Sequence, residues 1–175
     1  FAGTNYFFYD LNAKMNYQFS QKDRIYLSGY FGRDVLTFAQ PGRDFQFTLP
    51  YGNATATLRW NHLFTEKLFF NLSAIYNDYQ FKAGFEQEEF NFDIFSGVRD
   101  FTAKFDFDYF PSNDHQVKTG IHATKHRLTP NIIRGSAGET EFENTATAKY
   151  ANEYAIYLQD DWKINPWLRV NLGLR

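Results

Sequence analysis

The chain has 175 residues, enough for one domain of ordinary size, and its net charge of −2 gives no pull toward a polyanion, so no nucleic-acid partner is expected. It has no cysteine, which excludes disulfides, thiolate catalysis and cysteine-held metals without fixing the compartment. No basic segment leads into an apolar run at the N-terminus, and no stretch of about 18 apolar residues exists, so neither a leader peptide nor a membrane helix is predicted.

In chain order, the first segment is FFYDLNAKMNYQF (7–19). Phe7, Tyr9, Leu11, Ala13, Met15, Tyr17 and Phe19 alternate with a second set that is polar after Phe8. A period of two is the signature of a strand with unlike faces. The same alternation predicts strands over 25–31, 54–64, 68–76, 101–109, 116–126, 154–164 and 168–175. FTAKFDFDY (101–109) is the most regular, with Phe101, Ala103, Phe105, Phe107 and Tyr109 set against Thr102, Lys104, Asp106 and Asp108. No amphipathic helix is predicted, and the expected class is all-β.

The connections alternate in length. The segments 20–24, 65–67, 111–115 and 165–166 read as tight turns rich in Asn, Asp, Pro and Ser. The segments 37–52, 82–93 and 128–150 read as long polar or irregular loops. Neighbouring strands joined by tight turns are antiparallel, so the short turns gather at one end of a meander and the long loops at the other. Transmembrane β-barrels have this asymmetry.

Alternation alone does not say which face meets water. The chain is 21 % aromatic yet hydrophilic, with a mean hydropathy of −0.53, which suits alternating faces. Aromatic residues cluster near both strand ends, with Leu11, Ala13, Leu72, Ala74 and Ala103 between them on the apolar face, and Phe105 and Phe107 blur the pattern. Two aromatic belts around an aliphatic band are what a barrel wall shows to lipid. The opposite face carries both charge signs, including Asp10, Lys14, Arg59, Lys104 and Asp106, which a wet lumen tolerates. The competing reading is a soluble sandwich or lipocalin-like barrel with an ordinary core.

The stretches YDLNAKMNYQFSQKDRIYLSGYFGRD, YGNATATLRWNHLFTEKLFFNLSAIYNDY and YAIYLQDDWKINPWLRVNLGLR resemble TonB-dependent outer-membrane receptors, especially the Bacteroidetes-type branch. The last stretch carries the resemblance most specifically, through Gln-Asp, Trp, a tight turn and Leu168-x-Val170-x-x-Gly173-x-Arg175, which differs from the family's Leu-x-Leu-x-x-Gly-x-Arg at Val170. The resemblance implies a barrel of about 22 strands closed by an N-terminal plug. It also implies import of a bulky scarce nutrient (siderophore, haem, cobalamin, glycan or peptide) driven through TonB, in the outer membrane of a Gram-negative bacterium. The expected neighbours are outer-membrane lipid and, in the parent protein, the plug and TonB. Residues 1–175 would then be an interior part of the barrel domain, about eight strands, with the plug and other strands absent. A non-transporting structural or adhesin-like barrel is the alternative from another class, and a soluble ligand-binding β-barrel is a further one.

No enzyme, cofactor or metal is expected. His122 and His126 share a strand face but stand about 13 Å apart at 3.3 Å per residue, too far to grip one ion. Asp106 and Asp108, two residues apart on one face, read as solvated lumen charges rather than a hydrolytic pair. His115 is expected in a short turn. Asp160 falls in the apolar register of Ile156, Leu158 and Trp162, which points to the periplasmic interface or a bulge. Asn53-Ala-Thr55 and Asn71-Leu-Ser73 match a glycosylation sequon that a bacterial protein leaves unused. Substrate contacts are expected in the long loops, around 42–47 and 85–93, with no single residue singled out.

Overall fold

The computed structural model describes residues 3–40, 42–144 and 146–175. It is one antiparallel sheet without a helix among the described residues. Nine strands follow one another: β1 (Thr4–Gln18), β2 (Asp23–Ala39), β3 (Phe45–Thr65), β4 (Leu68–Gln87), β5 (Phe90–Tyr109), β6 (His115–Ala137), β7 (Thr140–Glu143), β8 (Lys149–Asn165) and β9 (Leu168–Leu174). The path runs β1-β2-β3-β4-β5-β6-β8-β9, and β7 folds back on the far end of β6. All eight expected strands are present, and β7 is added. β1 and β9 lie at the two ends of the path and do not pair with each other.

The strands are far longer than the alternation over 54–64 or 101–109 alone indicates. β3, β4, β5 and β6 run to 21, 20, 20 and 23 residues. About 9–11 tilted residues cross a bilayer, so each has roughly as much strand again beyond it. The extra length comes from the segments expected to be long loops. Most of 37–52 pairs β2 with β3, from Thr37↔Thr48 to Val35↔Pro50. Segment 82–93 is the tip of the β4–β5 hairpin and turns within Glu88 and Glu89. Within 128–150, β6 continues to Ala137 and β7 pairs beside it. Pro41 and Thr145, within two of those segments, lie outside the described residues. The short turns at the other end hold, with His115 as the first residue of β6 rather than a turn residue.

Two irregularities have local causes. Pro50 has no N–H to donate, and the β3–β4 ladder has no rungs at Leu49 and Pro50 although the register is the same on both sides. The β5–β6 register shifts between Phe95 and Gly97, where β6 carries Pro130. A bulge there leaves a proline without a broken ladder bond.

No hydrophobic side chain among the described residues is buried. The usual order of exposure is in fact inverted. We name the face carrying Leu58, Phe101 and Ile121 the outer face and the opposite one the inner face. Leu58, Phe101 and Ile121 lie on strands paired on both sides, yet are 50, 55 and 53 % exposed, while Ser73 on the inner face is 2 % exposed. A soluble sandwich or barrel hides its apolar face, and this sheet presents it.

Candidate functional site

Register builds the outer face row by row. Tyr17, Ile25, Trp60, Leu72, Phe105, Ile121 and Ile156 are successive cross-strand partners. The next row is Met15, Leu27, Leu58, Ala74, Ala103, Ala123 and Tyr154. These rows form one apolar band across the sheet. At about 25 cal/mol per Å² of apolar surface, leaving such a band in water is costly, so it belongs against hydrocarbon.

Polar groups mark the lower rim of the band, beside the short turns. Asp23 takes the indole N–H of Trp60 at 3.0 Å and sits 2.6 Å from His62 Nδ1. At the other end of the sheet Asp160 sits 2.8 Å from His115 Nδ1, and the His115 ring stacks on Trp162 at 5.4 Å. The Asp160 register is thereby explained. It pairs with Val117 and Leu172 without a slip, and the nearby bulge falls later, between Lys163 and Asn165. Its carboxylate thus lies at the interface with one oxygen against the His115 ring and the other, Oδ1, buried without a hydrogen-bond partner. Indole and imidazole rings with a polar handle suit such a boundary.

The inner face between these levels is polar and largely paired within itself, although Asn53 Oδ1 and Asp161 Oδ1 are buried without a hydrogen-bond partner. Asp106 receives His122 Nε2 at 3.0 Å and the Tyr157 hydroxyl at 2.9 Å. Gly120 makes this possible, because a Cβ there would lie 2.7 Å from the Tyr157 ring. His126 Nδ1 pairs with Asp100 at 2.8 Å. His122 and His126 therefore hold separate carboxylates and are not brought together. Asp108 faces Lys118 at 3.8 Å, so the two aspartates serve different partners. Thr102 and Thr124 share a hydrogen bond at 2.9 Å, as do Thr55 and Asn77. Asn53, Thr55, Asn71 and Ser73 of the two sequons are part of this face or its upper continuation.

The upper rim of the outer band is equally sharp. Tyr76 and Phe101 pack at 5.0 Å, and one step above them Arg99 grips Asp78 through Nη2 at 2.6 Å and Nε at 3.0 Å. Above this level the two faces exchange character. The outer face gains ion pairs, Lys82 with Asp93 at 3.0 Å and Arg134 with Glu143 at 2.9 Å, set around one remaining apolar pair, Phe95 and Ile132. The inner face becomes apolar. Leu36 pairs with Leu49, and across the missing rung Ala83, Ile94 and Ile133 continue that level, while Phe38, Phe47, Phe85 and Phe92 form the row above. Phe45 bridges Phe38 and Phe85 edge-on, at 5.8 and 5.3 Å, and Phe85 meets Phe90 at 5.9 Å. The result is a half-buried aromatic wall on the inner side, above the apolar band.

One charged group stands on the wall. The Asp34 carboxylate accepts from the Tyr6 hydroxyl at 2.5 Å and, with Tyr51 nearby, holds that phenol well above its usual range. The wall residues are the functional candidates that sequence reasoning placed in loops. Their signal was present: Phe45, Phe47, Leu49 and Tyr51 alternate as regularly as Ala54 to Trp60, but in the opposite phase.

An apolar belt with aromatic and ionic rims, a wet inner face, and short turns at one end opposite long hairpins define the wall of an outer-membrane β-barrel. A family model agrees: residues 71–175 match the outer membrane beta barrel domain, and the chain belongs to that family. It is a component of the outer membrane. No curated protein matches the chain in sequence. Among solved structures, it resembles the ferric yersiniabactin uptake receptor FyuA from Yersinia pestis, with a TM-score of 0.68 at 10 % identity. That match covers 97 % of this chain and 28 % of the receptor, so the chain spans just over a quarter of the receptor's length.

Proposed function

We propose that this chain is part of the wall of a TonB-dependent transporter of the Bacteroidetes type that imports a bulky, scarce nutrient. In this reading, residues 1–175 are an interior run of strands, and the plug and remaining strands belong to other parts of the parent protein. The sequence resemblance and the barrel likeness to a receptor support it. The observation that carries it is the exchange of faces above Asp78 and Arg99. Water bathes the outside of the hairpins there, so an apolar inner face is stable only when something large and partly apolar lies against it. A ligand entering the barrel mouth meets Phe47, Phe85 and Phe92 before the polar lumen. Aromatic faces supply large contact area at low entropic cost.

The test is uptake. A strain lacking the parent gene is grown on defined iron, haem, cobalamin, glycan and peptide sources to find the nutrient. The Phe47→Ser/Phe85→Ser variant is then compared with wild type. The expected result is roughly a tenfold rise in KM for uptake, equivalent to about 1.4 kcal/mol of ligand contact. The amount of folded barrel in the membrane should stay unchanged. Unaltered uptake by that variant, or growth of the deletion strain on every source, contradicts the reading.

A further inference from the structure

We propose that the outer face between β3 and β8 is a binding site for a phosphate-bearing lipid of the leaflet on the long-hairpin side. The inference rests on the barrel's membrane placement and not on what it transports.

Two independent features meet here. The first is a trough. Ala74, Ala103 and Ala123 are cross-strand neighbours in one row, with Leu58 at one end and Tyr154 at the other. The larger Tyr76 and Phe101 rise above the alanines, leaving an apolar depression of about 540 Å³. It is shaped for a hydrocarbon chain lying against the wall.

The second feature is charge. Lys125 lines the trough at its upper end, two positions beyond Ala123 on the same face. Arg127 follows, and its direct cross-strand partner is Arg99. Like charges placed opposite one another destabilise a sheet. Arg99 is already committed to Asp78. Among the described residues, no carboxylate forms an ion pair with Lys125 or Arg127, and Lys125 only overhangs the Tyr150 ring at 5.8 Å. Both side chains are exposed. Two unneutralised cations at the rim of a hydrocarbon-facing band need an anion at that height. A phosphate attached to a lipid supplies the charge and fills the trough with its chain. A guanidinium suits phosphate through paired N–H donors, and each basic side chain near a membrane surface adds to anionic-lipid binding. β4, β5 and β6 are paired on both sides along this stretch, so the site is complete in the sheet as it stands.

The experiment uses the intact protein extracted from outer membranes in neutral detergent and stripped of lipid. Retained lipid is read by native mass spectrometry after exposure to phosphatidylcholine vesicles with or without phosphatidic acid. Wild type should retain phosphatidic acid selectively, and Lys125→Gln/Arg127→Gln should lose roughly tenfold in retention. Ala103→Phe, which fills the trough and leaves both charges, should lose retention as well. Lys125→Arg/Arg127→Lys should keep it, and the inner-face control Lys104→Gln should bind as wild type does. Each variant is first checked for the folded, heat-modifiable gel band, and only folded protein is compared. Equal retention by folded wild type and the double Gln variant overturns the proposal. Displacement of the lipid by equimolar inorganic phosphate overturns it too, because the site would then take a free anion.

Discussion

At the scale of single residues, the sheet places charge only where an interface or a partner accepts it. Asp23 shows the rule. The Ser20 hydroxyl donates to it at 2.6 Å and His62 and Trp60 complete its shell, so its carboxyl is held below the usual carboxylate range, the Ser20 bond first among the causes. A depressed folded value means that the contribution is present above the unfolded carboxylate range and is lost as pH falls through the folded value. Acidification below about pH 4 should therefore release the first short turn. Ser20→Ala should move the Asp23 titration upward, read by carboxyl carbon chemical shifts; an unmoved titration contradicts the assignment. Asp160 also sits beside an imidazole at the rim of the band. Its place among apolar residues was legible in the sequence, but its partner His115 was not, because the two are 45 positions apart and only register brings them together.

At the scale of the element, a strand here serves two solvents in turn. Ala54 to Trp60 and Leu68 to Tyr76 were readable from their alternation because one solvent pair, lipid and wet lumen, holds throughout. The hairpin ends were not read as strands, because the apolar residues change parity between Tyr51 and Ala54 and again around Tyr76 to Phe81. A slip of phase looks like the end of a strand. Physically it marks the height at which lipid outside gives way to water. Two predictions belong here. Leu58→Arg, on the outer face, should block assembly into lipid at a cost of about 2–4 kcal/mol, while Thr57→Arg, on the wet face, should cost little. Equal loss in a folding assay in lipid vesicles would sink the face assignment. At the hairpin tip, Glu88 takes a φ of 51°, the slot that Gly138 fills at φ 59° in the β6–β7 turn. A side chain in the left-handed region costs about 1–2 kcal/mol, partly offset in glycine by unfolded-chain entropy. Glu88→Gly should thus steady the β4–β5 tip by up to about 1 kcal/mol, seen as slower amide exchange of Gln87 and Phe90. Faster exchange in the variant counts against this.

At the scale of the whole molecule, one sheet with no buried apolar side chain among the described residues gains its stability from what lies against it. Lipid covers the band from Trp60 to Tyr76 and water the ion pairs above it, and under the proposed function the aromatic wall meets the ligand. Two strand edges, on β1 and β9, stand ready to pair. The exchange of faces holds these three environments together, and single-cysteine labelling reads it most directly, since the chain carries no cysteine of its own. Cysteines are placed one at a time at 45–61 in the membrane-assembled protein and probed with water-soluble and lipid-soluble maleimides. From 54 to 60 the even positions should react only from lipid. From 46 to 50 the even positions should react from water, and the odd positions there should be protected by ligand. An even-numbered lipid reaction continuing unbroken from 60 to 46 would contradict the account.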